Sequence, residues 1–358
     1  MRIAVDAAGG EYAPHEVVKG AIKAQQEYGV DIALVGRRAI LRTMVNRDAK
    51  TPGLSIVNAS QIVRLHDSPI KAIKGKPDSS ILVGINLVKS GEADAFVSAG
   101  NTGAVVVAAL LTLGKIGGIE RPAIATILSI TSSTPVLLID SGANVDCRPI
   151  HLVQFAQMGS IYCRQVLDIK SPRVGLLSNG EEDTKGNRLT VESHQLLKKT
   201  DLNFIGNVEG QDIAKKTADV VVTDGFTGNV VLKTIEGLGE TFHGLLEYVG
   251  QNVAGSHGLQ GRLLGKLVGL GSWAKKLDYT EYGGACLLGV RGNVIIAHGR
   301  SQAKAIKNAI GLAKQTAESN VLLTFREEGH KYASLPEALP AERTADDPAQ
   351  ESHAGHHS

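Results

Sequence analysis

Aromatic residues are scarce in this chain. Phe, Trp and Tyr make up 4% of 358 residues, with a single tryptophan. Proteins that grip single-stranded nucleic acid stack bases on aromatic rings, so this scarcity argues against that class. Charge argues the same way. Lys and Arg number 38 and Asp and Glu 36, a formal net charge of +2. That is far from the basic excess that attracts a polyanion, and no nucleic-acid partner is expected. Cysteine is also sparse. Cys147, Cys163 and Cys286 are odd in number and none has CxxC spacing, which speaks against a disulfide framework and a structural zinc. No run of about 18 uncharged apolar residues occurs, so no membrane-spanning helix is expected. The opening MRIAVDAAGG lacks the apolar core of a signal peptide. Walker A and HExxH sequences are missing, and the first βα turn, AAGGEY, is not a complete GxGxxG. A standard nicotinamide-nucleotide site is therefore disfavoured, and neither a cofactor nor a metal is expected.

Glycine, by contrast, is abundant at 41 residues, and it is patterned. Residues 93–106 read ADAFVSAGNTGAVV and residues 218–231 read ADVVVTDGFTGNVV, identical at eight of fourteen positions. Each copy is an apolar run, then Gly-x-Thr-Gly, then a second apolar run. The pattern is that of a buried strand, a tight turn and the first turn of a helix. Such a turn aims free backbone N–H groups and the positive end of the helix dipole beyond the strand end, where an anion fits. One copy alone reads as a corner that needs glycine. Two matched copies, each with a side-chain amide nearby, read as an anion cradle. Its candidate donors are Gly100, Asn101, Thr102 and Gly103 in the first copy and Gly225, Thr227, Gly228 and Asn229 in the second.

Around these copies the chain alternates strands and helices. Strands are predicted at 2–6, 31–35, 54–58, 123–130, 136–140, 173–178 and 202–206. Helices are predicted from Pro14 to about Tyr28 and at 37–46, 79–90, 104–113, 150–167 and 188–199. The polar, basic stretch 60–78 reads as an excursion from the sheet. This alternation predicts an α/β fold with a doubly wound, mostly parallel, Rossmann-like sheet covered on both faces. Ligands in such sheets sit beyond the carboxyl ends of the strands. The glycine loops at 7–13, 98–103, 141–146, 178–187 and 223–229 are expected to converge there on one crevice, along one edge of the sheet. From Val230 to Lys276 the pattern is helical, broken at AGSHG, and predicts a protruding helical hairpin over about 236–276. ACLLGV and NVIIAHG then read as a β-hairpin and 301–319 as a closing helix. The expected organisation is a single α/β domain over 1–333, followed by a disordered polar tail at 334–358.

Read in order, VDAAGGEYAP, SAGNTGA, GANVD, QFAQMG, PRVGLLSNGEEDTKGN, NFIGNVEG, VVTDGFTGNVVLKTIEG and EYGGACLLGV...IIAHG resemble the acyl-ACP:phosphate acyltransferase family of the PlsX type. The resemblance runs from residue 1 to about 320, and its specificity lies in many separate motifs agreeing in order and spacing. It implies a homodimer with a fold akin to phosphate acetyltransferase and isocitrate dehydrogenase. The implied reaction moves a fatty acyl group from acyl carrier protein to inorganic phosphate, giving acyl phosphate for phospholipid synthesis. The implied place is cytoplasmic, with peripheral association with the inner face of the cell membrane and with a membrane-bound glycerol-3-phosphate acyltransferase. Ala8–Glu11, Ser178–Glu182 and Lys74 depart from the family pattern by changes conservative in size or charge.

Attack on a thioester by phosphate needs no enzyme nucleophile. The protein must hold the dianion, align it with the carbonyl and stabilise the developing oxyanion. Lys185 and Lys233 are candidates for positive charge, Asn144 in GANVD for polarising the carbonyl, and Asp224 for a general base. Each has a plainer reading: Lys233 as a surface lysine, Lys185 paired with Glu181 or Glu182, and Asp224 as a helix cap. Asp6 reads as a loop brace. His151, His194, His243 and His298 have no metal-ligand spacing and read as structural or surface. Cys147 has no evident base beside it, which disfavours an acyl-cysteine. An acidic carrier needs a basic landing surface, for which Lys71, Lys74, Lys76, Arg262 and Lys266 are candidates. The hairpin reads first as dimer core, then as a membrane contact. A decarboxylating dehydrogenase of the same fold and a non-catalytic membrane-associated scaffold are the competing functions.

Overall fold

The computed structural model describes residues 1–45, 52–129, 135–254, 283–331 and 333, with side chains described except at 242, 243 and 245–254. The second arm of the predicted hairpin, with Arg262 and Lys266, and the polar tail lie outside the described residues.

The first half of the chain lays down β1 (Arg2–Asp6), α1 (His15–Tyr28), β2 (Asp31–Gly36), α2 (Arg38–Val45) and β3 (Leu54–Asn58). Next come α3 (Pro69–Gly75), α4 (Ser80–Lys89), β4 (Ala95–Ser98), α5 (Thr102–Thr112) and β5 (Ala123–Leu128). The second half holds β6 (Val136–Ile139), α6 (Pro149–Gln165), β7 (Val174–Leu177), α7 (Arg188–Leu197), β8 (Phe204–Val208), α8 (Gly210–Lys215) and β9 (Val220–Val222). It closes with α9 (Gly225–Ala254), β10 (Ala285–Leu288), β11 (Asn293–Ile296), α10 (Ala303–Glu318) and α11 (Val321–Glu328). The basic excursion is therefore not irregular throughout. Pro69 lacks only an N–H that a helix start leaves unpaired, and it opens α3 there.

Among the described residues, one sheet of 11 strands runs β3-β2-β1-β4-β11-β10-β5-β6-β9-β7-β8. Side chains alternate across it. On β5, Ala123, Ala125 and Ile127 enter one core, shared with α1, α6 and α10. Ile124 and Leu128 face the other side and enter two separate cores: one under α3, α4 and α5, the other under α8 and α9. The gap between those two cores, floored by mid-sheet, is a cleft.

The sheet is mostly parallel, but β10–β11, β10–β5 and β5–β6 pair antiparallel. These ladders reverse the chain direction, so β3-β2-β1-β4-β11 and β6-β9-β7-β8 run in opposite senses. The expectation of a single carboxyl edge is corrected by this reversal. The two blocks are also staggered. Register links Ser98, Ile296, Ala285, Thr126, Leu138 and Val221 in one row across the sheet. From one side β1, β4 and β11 end at this row and β2 and β3 one residue past it. From the other side β6 and β9 end one residue past it and β7 and β8 two. Carboxyl ends therefore meet head to head along a mid-sheet line, and loops from both blocks reach the same cleft.

Candidate active site

Both Gly-x-Thr-Gly copies form the predicted strand, turn and helix, but they begin their helices differently. In the first, Asn101 caps α5: its Oδ1 accepts from Ala104 N–H at 2.9 Å. Its Nδ2 points away from the cleft and donates to the carbonyls of Leu65 at 2.8 Å and Asp67 at 3.0 Å. In the second, the cap is Asp224, two positions earlier than the aligned Asn101/Phe226 site. Its Oδ1 accepts from Thr227 N–H and its Oδ2 from Thr227 Oγ1, both at 2.8 Å. That is the capping geometry of the plainer reading, and it occupies both carboxylate oxygens.

Glycine is needed for approach rather than for turn conformation. A Cβ on Gly228 would lie 1.9 Å from the Asp140 carbonyl oxygen, and one on Gly103 would lie 2.7 Å from the Pro69 ring. Gly225 donates its N–H to Asn144 O at 2.7 Å, and Gly100 donates to Ser98 Oγ at 3.0 Å. The N–H groups of Thr102 and Gly103, in the first turn of α5, have no acceptor among the described residues.

Each block braces its loop with a buried carboxylate at a strand end. Asp6 accepts from Ala8 and Gly9 N–H at 3.0 Å and from Ser98 Oγ at 2.7 Å, the predicted bracing role. Asp140 accepts from the N–H groups of Ile124, Gly142, Ala143 and Asn144 and from Asn144 Nδ2. Burial raises both carboxyls above the usual range, and the donated bonds oppose it. Asn144 also donates Nδ2 to Pro122 O at 2.7 Å. Its amide hydrogens thus go to the loop frame rather than to a carbonyl in the cleft.

The cleft between α5 and α9 has a volume of about 360 Å³. Ile124, Leu128, Leu232, Ile235 and Ile296 give it an apolar interior. Thr102 and Gly103 stand on one wall, Asn229 and Lys233 on the other, with Ser141 and Gly142 between. The signature copies thus contribute three of their eight candidate donors to the lining. Gly100, Asn101, Gly225, Thr227 and Gly228 shape the walls behind it. Lys233 Nζ lies 2.7 Å from Glu236 Oε2 and 3.2 Å from His298 Nε2. His298 Nδ1 accepts from Arg300 N–H at 3.2 Å. Glu236, His298 and Ser141 line the cleft but are not among the sequence candidates. The only sequence signal for His298 is its place at the end of the NVIIAHG strand.

Lys185 lies on the exposed 178–187 loop beyond β7, outside the cleft lining, and pairs with no acid among the described residues. Lys71 and Lys74 are exposed on α3 beside the cleft, whereas Lys76 Nζ binds Asp67 at 2.5 Å and Ile62 O at 2.8 Å. Burial, then the charges of Asp140 and Asp224, push the Cys147 thiol up to about 12, which leaves it a poor nucleophile near neutrality. No helix among the described residues is long and apolar enough to cross a membrane.

The fold is that of the phosphotransacetylases. The Streptococcus pyogenes phosphotransacetylase superposes with a TM-score of 0.61 at 18% identity, covering 88% of this chain and 94% of that one. More closely, the chain belongs to the family described as fatty acid synthesis protein, which matches residues 1–324. A phosphate acyltransferase from Dehalococcoides mccartyi is 55% identical over 321 residues, 90% of this chain and 92% of that protein. Another from Desulforamulus reducens is 47% identical over 330 residues, 91% and 97% of the two chains.

Proposed function

We propose that this protein transfers a fatty acyl group from acyl carrier protein to inorganic phosphate, supplying acyl phosphate to phospholipid synthesis. The observation that carries the reading is the composition of the cleft. An apolar interior suits an acyl chain, and it opens between a helix N-terminus with two available N–H groups and a lysine. A helix start of that kind favours a phosphate oxygen. Family membership and the two phosphate acyltransferase relatives point the same way.

In this reading Thr102, Gly103, Asn229 and Lys233 hold hydrogen phosphate against the thioester. A phosphate oxygen bonds to the acyl carbon, the carbon–sulfur bond breaks, and its electron pair leaves with sulfur. The proton of hydrogen phosphate ends on the thiol, so no outside oxidant or reductant is needed. Lys185 supplies positive charge from the 178–187 loop. Asn101, Asn144 and Asp224 set the wall geometry. The competing dehydrogenase reading needs several acidic metal ligands, and Glu236 is the one acid among the described lining residues.

Lys71 and Lys74 flank the cleft because Pro69, on the same helix, packs against Gly103. They are the part of the proposed carrier landing surface that the described residues support, Lys76 being engaged within its own loop. Phe226, Val230 and Leu238 are more than half exposed along α9 at helical spacing, which favours a homodimer contact or peripheral membrane contact there. The deciding assay incubates the protein with acyl-ACP of several chain lengths and phosphate, and follows release of holo-carrier. Phosphate-dependent release is expected; no release with any chain length would remove the reading.

A further inference from the structure

One buried imidazole holds the 178–187 loop from beneath. Residues 181–188 are exposed, and among the described residues three ties reach 179–186 from the rest of the fold. Asn207 Nδ2, on β8, donates to Glu182 O at 2.8 Å. Lys198 Nζ lies 2.7 Å from Asp183 Oδ2, and His194 Nε2 lies 3.1 Å from Asp183 Oδ1. His194, on α7, is 1% exposed, and its Nδ1 lies 2.8 Å from Asn207 Oδ1. The ring therefore touches both anchors of the loop. The Glu182 carbonyl that Asn207 holds also accepts the N–H of Lys185 at 3.0 Å.

These partners place the protons. A carbonyl only accepts, so the Asn207 amide turns Nδ2 to Glu182 O and Oδ1 to the ring. Oδ1 also only accepts, which puts a proton on Nδ1. The other ring nitrogen faces a carboxylate. Lys198 beside it holds the Asp183 carboxyl below its usual range, so Asp183 is ionised near neutrality. Two acceptors thus flank one ring. A neutral ring has a single proton, which Nδ1 takes, and its Nε2 lone pair is left against the Asp183 charge. A ring with both protons donates to Asn207 and pairs with Asp183.

We propose that His194 is a proton-operated latch on this loop: with both ring nitrogens protonated it holds Asp183 and keeps the Lys185 turn closed, and with Nε2 deprotonated it lets that turn open. Among the described residues, the charged groups at the ring are Asp183, from the loop, and Lys198, one turn further along α7. Lys198 binds Oδ2 and leaves Oδ1 to the ring. From β8 the ring meets the Asn207 amide and, in a T-shaped contact with centroids 5.1 Å apart, Phe204. α6 packs on α7 within the apolar core that includes Leu196 and Leu197. A buried cation is costly unless it is paired, and Asp183 is the pair. The latch governs local opening of one turn rather than unfolding of the domain. It does not depend on the acyl-transfer reading.

The test measures backbone amide exchange at Lys185 between about pH 5.5 and about pH 8.5, corrected for the intrinsic rate, in wild type, H194Q, D183N and K198Q. Nitrogen chemical shifts of the His194 ring are followed in wild type over the same range. Both ring nitrogens are expected to be protonated at the acid end and Nδ1 alone at the alkaline end. Protection at Lys185 should fall at least roughly tenfold as pH rises, the worth of one hydrogen bond to a charged group. H194Q and D183N should lose this trend, and K198Q should keep it. D183N alters a half-exposed side chain, so it tests the latch even where H194Q fails to fold. Protection in wild type that stays constant or rises with pH would overturn the proposal. So would a neutral ring protonated at Nε2, or a D183N that follows pH as wild type does.

Discussion

Gly228 has no room for a side chain, because its Cα faces the Asp140 carbonyl across the start of α9. A methyl there must move backbone rather than the end of a flexible side chain. G228A is therefore expected to cost about 3 kcal/mol, at the upper end of overpacking penalties, measured by urea unfolding. A midpoint equal to wild type would contradict the packing described. At the same scale, two imidazoles set a pH dependence. Burial depresses both His151 and His298 below the ordinary 6.5, with Glu120 and Glu236 opposing. A depressed folded pKa means that the unfolded chain takes up the proton first. The associated stability is present above pH 6.5 and is lost as pH falls through the folded values. The melting temperature should fall between pH 7.5 and 5.5, and H151Q, which cannot titrate, should flatten part of that slope. An unchanged slope would remove His151 from the account.

The two signature elements differ in what their caps do. Asp224 satisfies the first turn of α9, and both its hydrogen bonds among the described residues go to Thr227. Asn101 caps α5 and also holds the carbonyls of Leu65 and Asp67. D224A is expected to cost about 1 kcal/mol, the usual cost of a lost cap. N101A should cost about 1 kcal/mol more, because buried carbonyls lose their donor as well. The order is read from urea midpoints at constant slope, and the reverse order would contradict the division. These elements were legible because each is a long apolar run punctuated by glycine. Their caps were not. Asn and Asp serve equally well as caps, and aligned motifs hide a two-residue shift in helix start. Short α8 and α11 passed unread for lack of a full period of apolar residues. His298 passed unread because its partner Lys233 is 65 residues away, a separation no spacing rule spans.

Across the whole molecule, the sequence indicates which segments are strands but not which way each runs. The β10–β11 hairpin was legible from its short turn, but an apolar strand buried on both faces looks the same whether its neighbours are parallel or antiparallel, so the antiparallel pairing of β5 with β10 and β6 left no mark in the pattern. Surface charge is a property of this scale too. Lys71 and Lys74 lie beside the cleft while Lys76 is tied to Asp67. The double variant K71E/K74E is expected to weaken binding of an acidic carrier by roughly tenfold at low salt, with the difference shrinking as salt rises. K76E should instead lower the melting temperature. Equal carrier affinity for K71E/K74E and wild type at low salt would rule out α3 as the landing site.

The head-to-head meeting of the two strand blocks has a geometric consequence. One wall of the cleft travels with β4 and β11, the other with β6 and β9, and the backbone pairing of β10 and β5 fixes their offset. Sliding β10 by one residue along β5 would turn every core side chain outward. Sliding it by two would carry Thr102 roughly 7 Å relative to Asn229. The width of the cleft is therefore stepped rather than continuous. Adjustment to longer or shorter acyl chains must come from side chains such as Leu128, Leu232 and Ile235, with the frame between the walls left unchanged.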